Sequence, residues 1–491
     1  MTNPLKLEWL LLGAILFYRT APAQAAVLRP VWRPNGPVEA LLLRGSTLYI
    51  GGSFSNLISP NGLSIVARSN LAALDWASGT PLAWDPKTDG PVYALATQGT
   101  AIYAGGQFSW AGSLTLSALA ALDLTSNIAQ AWDPHVSGTV RCLASNGSSL
   151  FLGGDFVQVG GIARLSLAEV NLSTPTATTF DAQLGASSTV RTLTVAGNLL
   201  YVGGSFSNVL GTPRSSLAAL SKTGGALSTW APTWTLAANP WVHSLFALNG
   251  ALWVAGDFSG SSNGIPVLRL AAFNLTTAQA LWLPNGPDAS AHVIIADGSG
   301  RVHTGGIFSS AGGQARSRYA SYFQSVALLE TAYSADLNTG ASDLRAMCVN
   351  GTELALGGQF TQVDSQGATN LAILSLPALG PVPSPTPILL VGSTLVPGTR
   401  AFIYPQPGFC GSLKVALPFS APGSASLRVR SVRGTLLRTQ ELDAVQSGVQ
   451  RVLLDCAGLE PGLYWLEIDR HVLGAAAESL APLRFILLEP K

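Results

Sequence analysis

The chain is poor in charged residues. Of its 491 residues, only 11% are Asp, Glu, Lys or Arg, less than half of the roughly 25% that is typical of soluble proteins. The 27 basic and 26 acidic residues nearly cancel and leave a net charge of +1. Nucleic-acid binding depends on Lys and Arg side chains that neutralise phosphates, so the composition gives no electrostatic reason to expect that partner. The balance also argues against an acidic disordered chain.

Cysteine and histidine are scarce as well. The four cysteines are Cys142, Cys348, Cys410 and Cys456, and no two of them have the C-x-x-C spacing of a metal or redox site. Cys410 and Cys456 share the C-terminal region and could pair, whereas Cys142 and Cys348 are predicted to be buried as small apolar side chains. The five histidines form no H-E-x-x-H or other close ligand pair. The sequence therefore predicts no metal site and no cofactor.

Long apolar runs are absent beyond the N-terminus. There, Lys6 precedes an apolar run over residues 9–17 (WLLLGAILF), and Ala23-Gln24-Ala25 supplies small residues at the spacing of a signal-peptidase cut. A membrane anchor is the alternative, but a helix needs roughly 20 apolar residues to cross a bilayer. We predict that residues 1–25 are a signal peptide and that the protein is secreted or held on the outer cell surface, without a transmembrane segment.

The chain is rich in one repeat. A six-residue pattern, Y-x-G-G-x-F in its commonest form, occurs seven times, and successive copies are 48 to 54 residues apart. An apolar residue lies 16 positions before the final Phe in six copies and one position later, at Val293, in the other. A Leu-Ala segment and, in several repeats, a Trp-x-Pro follow. The copies begin at Tyr49, Tyr103, Phe151, Tyr201, Trp253, His303 and Ala355.

Each repeat contains four short apolar or alternating runs separated by turn residues, a pattern that predicts four β-strands. A four-stranded unit of about 40–50 residues in series is typical of a β-propeller blade. We predict an all-β chain with a seven-bladed β-propeller over residues 26–377. The first Trp-x-Pro, at Trp32, precedes the first complete repeat, so the N-terminal segment can supply the missing outer strand of the last blade. A parallel β-helix is the alternative, although its coils are usually much shorter.

The rest of the chain has a different character. Residues 378–397 are rich in proline and predict a semi-rigid linker. Residues 398–491 contain further strand-like runs with turn signals between them, at Arg433-Gly434 and Pro461-Gly462. This pattern predicts a small Ig-like β-sandwich.

Two known families resemble parts of this sequence. The Y-x-G-G-x-F core, the L-A-A-L-D segment and the W-D-P element resemble the delta-60-type β-propeller repeats of exported bacterial proteins, over roughly residues 30–376. That family has no agreed biochemical activity, so the resemblance implies a fold and little more.

The tail resembles the C-terminal sorting domain of the bacterial type IX secretion pathway. The matching segments are Tyr404-Pro-Gln-Pro407, residues 429–434 (VRSVRG) and residues 458–464 (GLEPGLY). This resemblance implies that the secretion machinery is a partner and that the protein is released or attached at the cell surface. An accessory β-sandwich without a sorting role is the alternative.

No catalytic constellation is visible in the sequence. The one G-x-S-x-G match, at residues 260–264, lies in a Gly/Ser-rich loop and not between a strand and a helix. Asp85, Asp133 and Asp181 recur after an aromatic residue and are predicted to cap turns. A recurring arginine precedes the Leu-Ala segment and is predicted to pair with carboxylates such as Asp75; its copies are Arg68, Arg164, Arg214 and Arg316. We therefore predict that the chain is not an enzyme and has no catalytic residue.

One set of positions suggests a ligand site. Fifteen residues before each repeat's Phe lie Glu39, Tyr93, Arg141, Arg191, His243, Val293 and Arg345. The first strand of a propeller blade borders the central axis. If this register faces the channel mouth, Tyr93, Arg141, Arg191, His243 and Arg345 converge there and could bind a carboxylate or a sugar. The alternative is that they only line the channel wall, with Glu39 as an ion-pair partner.

Together these features predict a binding or interaction scaffold whose ligand is an extracellular glycan or protein. The alternative is a polysaccharide-active hydrolase or lyase on a propeller frame. A hydrolase of that kind needs two facing carboxylates about 5–10 Å apart, for which Glu39 and Glu169 are the candidates.

Overall fold

The computed structural model describes residues 26–378, except for 125, 238–239, 263–264, 283–285, 325–327, 331–332 and 339–341, together with seven strands and Thr435 in the C-terminal region. The chain divides into two compact units, residues 1–380 and 381–491. The predicted signal peptide, residues 379–397 of the predicted linker, Cys410 and Cys456 lie outside the described residues. In the described part, no helix has the length and apolarity needed to cross a membrane.

Seven antiparallel sheets, numbered here in chain order, are built from the described residues of the first unit. In each sheet the second strand pairs with both the first and the third. The first strands are β3 (Val38–Arg44), β8 (Val92–Gln98), β13 (Val136–Ser145), β17 (Thr189–Ala196), β23 (Trp241–Leu248), β27 (Ala291–Ala296) and β33 (Asp343–Asn350). The second strands are β4 (Thr47–Gly52), β9 (Ala101–Gly106), β14 (Ser149–Val159), β18 (Leu199–Ser205), β24 (Ala251–Ser262), β28 (Arg301–Gly306) and β34 (Glu353–Gln359). The third strands are β7 (Leu71–Asp75), β12 (Leu119–Asp123), β16 (Leu167–Asn171), β21 (Leu217–Ser221), β25 (Ile265–Asn274), β31 (Tyr319–Phe323) and β37 (Leu371–Ser375).

The outer edge of each sheet is shorter than the four-strand pattern predicts. In sheets one to four it is a single β-bridge to the third strand, as between Leu74 and Pro81. Sheets five and six add the short strands β26 (Ala280–Trp282) and β32 (Leu328–Leu329), and sheet seven takes β1 (Val27–Arg29) from the N-terminal segment. The remaining short strands are β2 (Arg33–Pro34), β5 (Asn56–Ile58), β6 (Ile65–Ala67), β10 (Trp110–Ala111), β11 (Leu114–Thr115), β15 (Ile162–Ala163), β19 (Asn208–Val209), β20 (Thr212–Pro213), β22 (Trp234–Leu236), β29 (Ser310–Ala311), β30 (Gln314–Ala315), β35 (Gln362–Val363) and β36 (Gln366–Gly367).

The sheets are arranged in a ring. Each first strand contacts the first strand of the next sheet, and β33 of sheet seven contacts β3 of sheet one. Because a neighbouring sheet covers each face, the second and third strands are buried on both faces; β9, for example, is buried along its whole length. The prediction of an all-β chain containing a β-propeller is confirmed.

The first glycine of the Gly-Gly pair is explained by contact between sheets. An added Cβ at Gly203 would lie 2.5 Å from Cγ1 of Val242 in the next sheet, a separation that folded proteins do not tolerate. The absence of a side chain at the first glycine thus allows the two sheets to approach closely. The pairs are Gly51 with Val92, Gly105 with Val140, Gly153 with Val190, Gly203 with Val242, Gly305 with Leu344 and, across the junction of sheets seven and one, Gly357 with Val38.

The aromatic residue before the glycines packs against the aromatic residue that follows the third strand. Tyr49 and Trp84, for example, have ring centroids 5.0 Å apart in an edge-to-face arrangement, which is the favoured geometry for two aromatic rings. The other pairs of this kind are Tyr103 with Trp132, Phe151 with Phe180, and Tyr201 with Trp230. Most of the Trp-x-Pro tryptophans are thus occupied in packing.

A second repeated contact joins each sheet to the next. The residue before the Leu-Ala segment, or before its equivalent, has a left-handed backbone, with φ between 58° and 67° in all seven sheets. In six of the sheets its side chain donates a hydrogen bond to a carbonyl near the start of the next sheet. The donors are Asn70, Ser166, Ser216, Arg269, Arg318 and Asn370. Asn370 bonds the carbonyl of Pro34 at 3.0 Å and so links sheet seven to sheet one.

Replacing Asn370 by alanine should lower the unfolding free energy by about 2 kcal/mol. The change leaves a buried carbonyl without its donor, which costs roughly 1–3 kcal/mol, and it places alanine at a left-handed position that asparagine tolerates better. Urea denaturation compared with the wild type measures the effect. Ala118, the corresponding residue of sheet two, has no donor, so Ala118→Ser should be neutral or stabilising. An unchanged midpoint for Asn370→Ala would contradict the role of this contact.

The second unit consists of two antiparallel sheets in its described strands. One contains β38 (Phe402–Tyr404), β39 (Ser412–Phe419) and β42 (Gly448–Asp455), and the other contains β40 (Gly423–Ser431), β41 (Leu436–Val445), β43 (Gly462–Val472) and β44 (Glu478–Leu487). Along β40, buried Leu427 and Val429 alternate with Arg428 and Arg430. The two arginines form ion pairs of 2.8 Å with acids of β43, so this sheet has one apolar and one charged face.

Candidate functional site

A β-bulge interrupts the first strand of every sheet near its beginning. In sheet one, Val38 pairs with Gly52 and Ala40 pairs with Gly51, so Glu39 is the extra residue between them. A bulge redirects the side chain that it carries. The same shift occurs in the other six sheets. The bulged residues, called here the axial ring, are Glu39, Tyr93, Arg141, Arg191, His243, His292 and Arg345.

The sixth member of the axial ring differs from the sequence-based prediction, which named Val293. The hairpin between β27 and β28 has one residue more than the others, because Asp297 and Arg301 flank a three-residue loop. The extra residue moves the bulge to His292. Val293 pairs with Gly305 and belongs to the buried core. The prediction of Val293 was therefore wrong, whereas the other six positions counted back from the Phe are the bulged residues.

Polar contacts connect one half of the axial ring. Arg345 forms ion pairs with Glu39 and, at 2.8 Å, with Asp343. The other oxygen of Asp343 is 2.7 Å from Nδ1 of His292. Burial raises the pKa of Asp343, but the hydrogen bonds and charges of His292 and Arg345 outweigh it, and the pKa is lowered overall. The sequence analysis named Glu39 as an ion-pair partner and missed Asp343.

His243 continues the ring beside His292. The two imidazole rings meet edge to face with their centroids 4.9 Å apart. Burial lowers the pKa of His243 to about 3, with further contributions from His292 and Arg191. The imidazole of His243 is therefore neutral at physiological pH, and it can donate one hydrogen bond and accept another.

The other half of the ring contains two arginines, one with a carboxylate partner and one without. Arg141 lies over the ring of Tyr93, 5.5 Å from its centroid, and forms an ion pair with Asp155. Arg191 lies over Trp241 at 5.1 Å. Its Nε is buried without a hydrogen-bond partner, and within the described part of the chain no carboxylate forms an ion pair with it.

The electrostatic setting of Arg191 is unfavourable for its own charge. Burial lowers the pKa of Arg191 and the nearby charge of Arg141 lowers it further, against smaller opposing contributions from Asp155 and Glu39. Arg141 and Arg345 both have carboxylate partners, whereas Arg191 has an aromatic face. The structure thus brings all five predicted site residues into the ring and leaves one guanidinium without a neutralising partner.

Of the recurring arginines outside the ring, Arg68 and Arg164 pair with carboxylates as expected, but with Asp85 at 3.7 Å and Asp181 at 3.8 Å and not with Asp75. Asp75 instead accepts hydrogen bonds from the backbone and hydroxyl of Ser78. Arg68 donates to its neighbouring backbone carbonyl and to the carbonyl of Leu82 at 2.7 Å, and its nearest acid is Asp85 at 3.7 Å. The same two-carbonyl pattern recurs at Arg164, Arg214 and Arg316. These arginines hold the outer edge of their own sheets.

The aspartates of the recurring aromatic–Asp element have the predicted turn role in two repeats. Asp133 accepts the backbone N–H of His135 at 2.8 Å, and Asp181 accepts that of Gln183 at 3.0 Å. In the first repeat, Asp85 instead forms ion pairs with Arg68 and Lys87.

The acids proposed for the hydrolase alternative lie in different surroundings. Glu39 is bound to Arg345 in the axial ring. Glu169, in β16, is buried and accepts hydrogen bonds from Ser149 and Thr178 within sheet three. Among the described residues, the two carboxylates have no hydrogen-bond partner in common.

Cys142 and Cys348 are free thiols. Cys142 is buried as predicted, whereas Cys348 is half-buried and packs against the core cluster of sheets seven and one. Burial raises the pKa of both thiols, to about 12 for Cys348. Among the described residues, no group of three or more His, Cys, Asp and Glu side chains could hold a metal ion.

A cleft of about 530 Å³ lies between sheets one and two. Its polar side chains serve neighbouring turns: Asn35 accepts the backbone N–H of Ser55, and Asp89 accepts those of Ser109 and Trp110. The indole of Trp110 is exposed at the rim. The cleft is lined by Asn35, Gly36, Ser53, Phe54, Ser55, Ser69, Asn70, Thr88, Asp89 and Trp110. It offers an aromatic face, but its acceptors already have partners.

Comparison with known proteins finds structural similarity alone. No family model matches the chain, and no curated protein matches it. The WD40 β-propeller domain of Doa1 is 10% identical, with a TM-score of 0.44 over 71% of this chain and 96% of that one. The C-terminal WD40 domain of Sif2 is 11% identical, with a TM-score of 0.43 over 72% of this chain and all of that one. The computationally designed Ika8 protein is 10% identical, with a TM-score of 0.43 over 72% of this chain and all of its own.

Proposed function

We propose that this chain is an exported or cell-surface binding scaffold, built on a seven-bladed β-propeller, that holds its ligand at the axial ring. Seven sheets that contact one another in cyclic order support the blade count. The convergence of seven bulged side chains on the strands that form the inner wall supports the location of the site. A rigid ring with redirected side chains is suited to binding because the frame pre-organises the contacts.

The observation that carries the proposal is the state of Arg191. Its guanidinium is half-buried, stacked on Trp241 and without a carboxylate partner, whereas Arg141 and Arg345 are both neutralised. A buried cation is stabilised when an anion approaches it. The ligand that fits is therefore one that presents a carboxylate, which His243 and Tyr93 can contact through hydrogen bonds. An acidic extracellular glycan or an acidic protein segment has this chemistry.

Replacing Arg191 by alanine should weaken binding of an acidic ligand by roughly 10–100-fold, since a hydrogen bond to a charged group contributes about 1.5–3 kcal/mol. The measurement is a glycan array with uronate-containing and neutral glycans, run with the mature chain (residues 26–491), followed by calorimetry on any glycan that binds. An acidic peptide array covers the protein alternative. Lys222→Ala, which removes a cation outside the ring, is the control and should bind as the wild type does. Binding that survives Arg191→Ala unchanged would place the ligand elsewhere, with Trp110 of the cleft as the next residue to replace.

The second unit belongs to the same proposal. Its two described sheets and the alternation along β40 support an Ig-like β-sandwich. We propose that it acts as a sorting domain for export through a type IX pathway, and that the ring belongs with the delta-60-type propellers. Deletion of residues 398–491 should then leave the ring inside the cell, and release of the truncated protein would contradict the sorting role.

A further inference from the structure

Ala26 is held by its backbone in sheet seven. Its nitrogen lies 2.6 Å from Oδ2 of Asp364, and its carbonyl accepts a hydrogen bond from Nε2 of Gln366 at 3.0 Å. The residue is 3% exposed and belongs to the core cluster that contains Leu337 and Val363. This residue directly precedes β1, the strand that forms the outer edge of sheet seven. The core therefore accommodates the small side chain of Ala26, and both of its backbone polar groups have hydrogen-bond partners.

Asp364 departs from the repeat at this point. It occupies the first position of the two-residue turn between β35 and β36, where it has a φ of 46°. Asp, Asn and Gly are all favoured in the left-handed backbone of such a turn, but three of the corresponding turns have glycine there, Gly112, Gly160 and Gly312, and a fourth has Leu210. The geometry of the turn alone therefore does not require an acid at this position. Its side chain is the group that meets the nitrogen of Ala26.

The acidic surroundings of Asp364 favour a positively charged partner. Its other oxygen accepts the backbone N–H of Asp336 at 2.8 Å. Burial raises the pKa of Asp336; Arg316 opposes this and the negative charge of Asp364 adds to it. Burial raises the pKa of Tyr333, and the negative charge of Asp364 raises it further. The buried hydroxyl of Tyr333 has no hydrogen-bond partner in the described part of the chain. An amide nitrogen brings no charge to this acidic place, whereas an α-ammonium group would bring a full positive charge and further donors.

We propose that the chain is processed between Ala25 and Ala26, and that the new α-ammonium group of Ala26 forms an ion pair with Asp364 that completes sheet seven. This inference rests on the proposed export. A signal peptidase hydrolyses the peptide bond: water adds across it, Ala25 keeps the carboxylate, and Ala26 keeps the nitrogen, which is protonated. The Ala23-Gln24-Ala25 segment supplies the small residues for the cut, and the structure places a carboxylate where the new terminus lies.

Mass spectrometry of the N-terminal peptide, on protein collected outside the producing cell, tests the position of the cut. The expected first residue is Ala26. An exported protein that starts at another residue overturns this inference and leaves the export proposal intact. A protein that stays inside the cell with Met1 and residues 1–25 overturns the export proposal and the cut together.

The ion pair is tested separately on residues 26–491 released from a fusion directly before Ala26. The protein with a free α-amino group should melt about 2 °C or more above its Nα-acetylated form at neutral pH, since about 1 kcal/mol shifts the melting temperature of a large domain by roughly 2–4 °C. In Asp364→Asn this difference should vanish. Asp257→Asn, which removes an exposed carboxylate of sheet five, should keep it. Equal melting temperatures for the free and acetylated wild-type chains, or a difference that persists in Asp364→Asn, would overturn the ion pair.

Discussion

Replacing Glu330 by methionine should lower the unfolding free energy by about 3–5 kcal/mol. Glu330 and Arg301 are 1% and 2% exposed, and the carboxylate binds Nε of Arg301 at 2.8 Å and Nη2 at 3.0 Å. Burial disfavours the charge of Arg301, but the hydrogen bond and charge of Glu330 outweigh burial and raise the pKa of the guanidinium. Removing one partner of such a pair leaves a buried charge uncompensated, which costs about 3–5 kcal/mol.

The neighbouring groups act on this loss in opposite directions. Asp297 accepts the backbone N–H of Arg301 at 2.8 Å, and its carboxylate lies 4.0 Å from Nη1. Ser321 donates to the same Glu330 oxygen as Nε and would lose its acceptor in the variant. Asp297 thus reduces the cost and the orphaned hydroxyl of Ser321 adds to it, so we expect the loss to stay within the range of about 3–5 kcal/mol.

The control is the double variant Arg301→Met with Glu330→Met. Two well-packed apolar side chains in place of a buried ion pair are often neutral or stabilising, so the double variant should regain most of the stability lost by the single one. Urea unfolding of wild type, both single variants and the double variant gives the coupling energy. If Glu330→Met cost no more than Asp257→Asn, which breaks a contact of 3.9 Å involving an exposed acid, the buried pair would not have the role assigned to it.

The repeat predicts the ring because each of its elements makes the same packing contact in successive sheets. The glycine pair, the aromatic residue before it and the Leu-Ala segment all sit between sheets, so their spacing in the sequence reflects a contact between neighbours. The sequence analysis predicted a full fourth strand in each sheet, and most sheets have only a bridge or a short strand there. A Trp-x-Pro segment can be fixed at the edge of the sheet by the packing of its Trp ring, as Trp84 packs against Tyr49, without a series of backbone hydrogen bonds.

The axial ring was predicted at six positions and missed at one for a single reason. Counting back from the Phe assumes hairpins of equal length, and the hairpin of sheet six is longer. Counting from the glycine whose partner is Leu344 would have given the same error, because the extra residue lies between the strands. The Gly298-Ser299-Gly300 sequence was the available signal of a longer turn. Asp343 and Trp241 were missed because they flank the bulge and do not recur.

The buried polar network of sheet six was not predicted. His303 is fully buried, and its Nδ1 lies 2.9 Å from the hydroxyl of Tyr319 while its Nε2 lies 3.3 Å from Oδ2 of Asp297. The signal was a joint departure from the repeat: sheet six replaces both the aromatic residue before the glycines and the apolar start of the Leu-Ala segment. Correlated polar changes at positions that pack together indicate a hydrogen-bonded replacement for an apolar contact.

Sheets five and six depart from the glycine–valine contact in a compensating way. In sheet five the position of the first glycine is Ala255, and in sheet six the position of the facing valine is Ala291. Both alanines are fully buried in the same core cluster. The larger residue on one side is thus matched by the smaller residue on the other, which keeps the volume between the sheets constant.

Replacing Ala291 by valine should therefore lower the unfolding free energy by about 1–3 kcal/mol, the usual cost of overpacking a filled core. Ala255→Gly alone should also destabilise, because it opens a gap and loosens the strand. The double variant Ala255→Gly with Ala291→Val restores the pair found in the other sheets and should unfold close to the wild-type midpoint. The coupling energy between the two sites is then about 2 kcal/mol and favourable.

The reverse exchange between sheets four and five provides a matched cycle. Gly203→Ala would bring a Cβ to 2.5 Å from Val242 and 2.7 Å from Thr192, and adding Val242→Ala should relieve the first contact but not the second. Rescue should accordingly be partial in this cycle and nearly complete in the Ala255–Ala291 cycle. Additive effects in both cycles would mean that the sheets adjust independently, and the glycines would then owe their recurrence to strand geometry and not to the facing side chain.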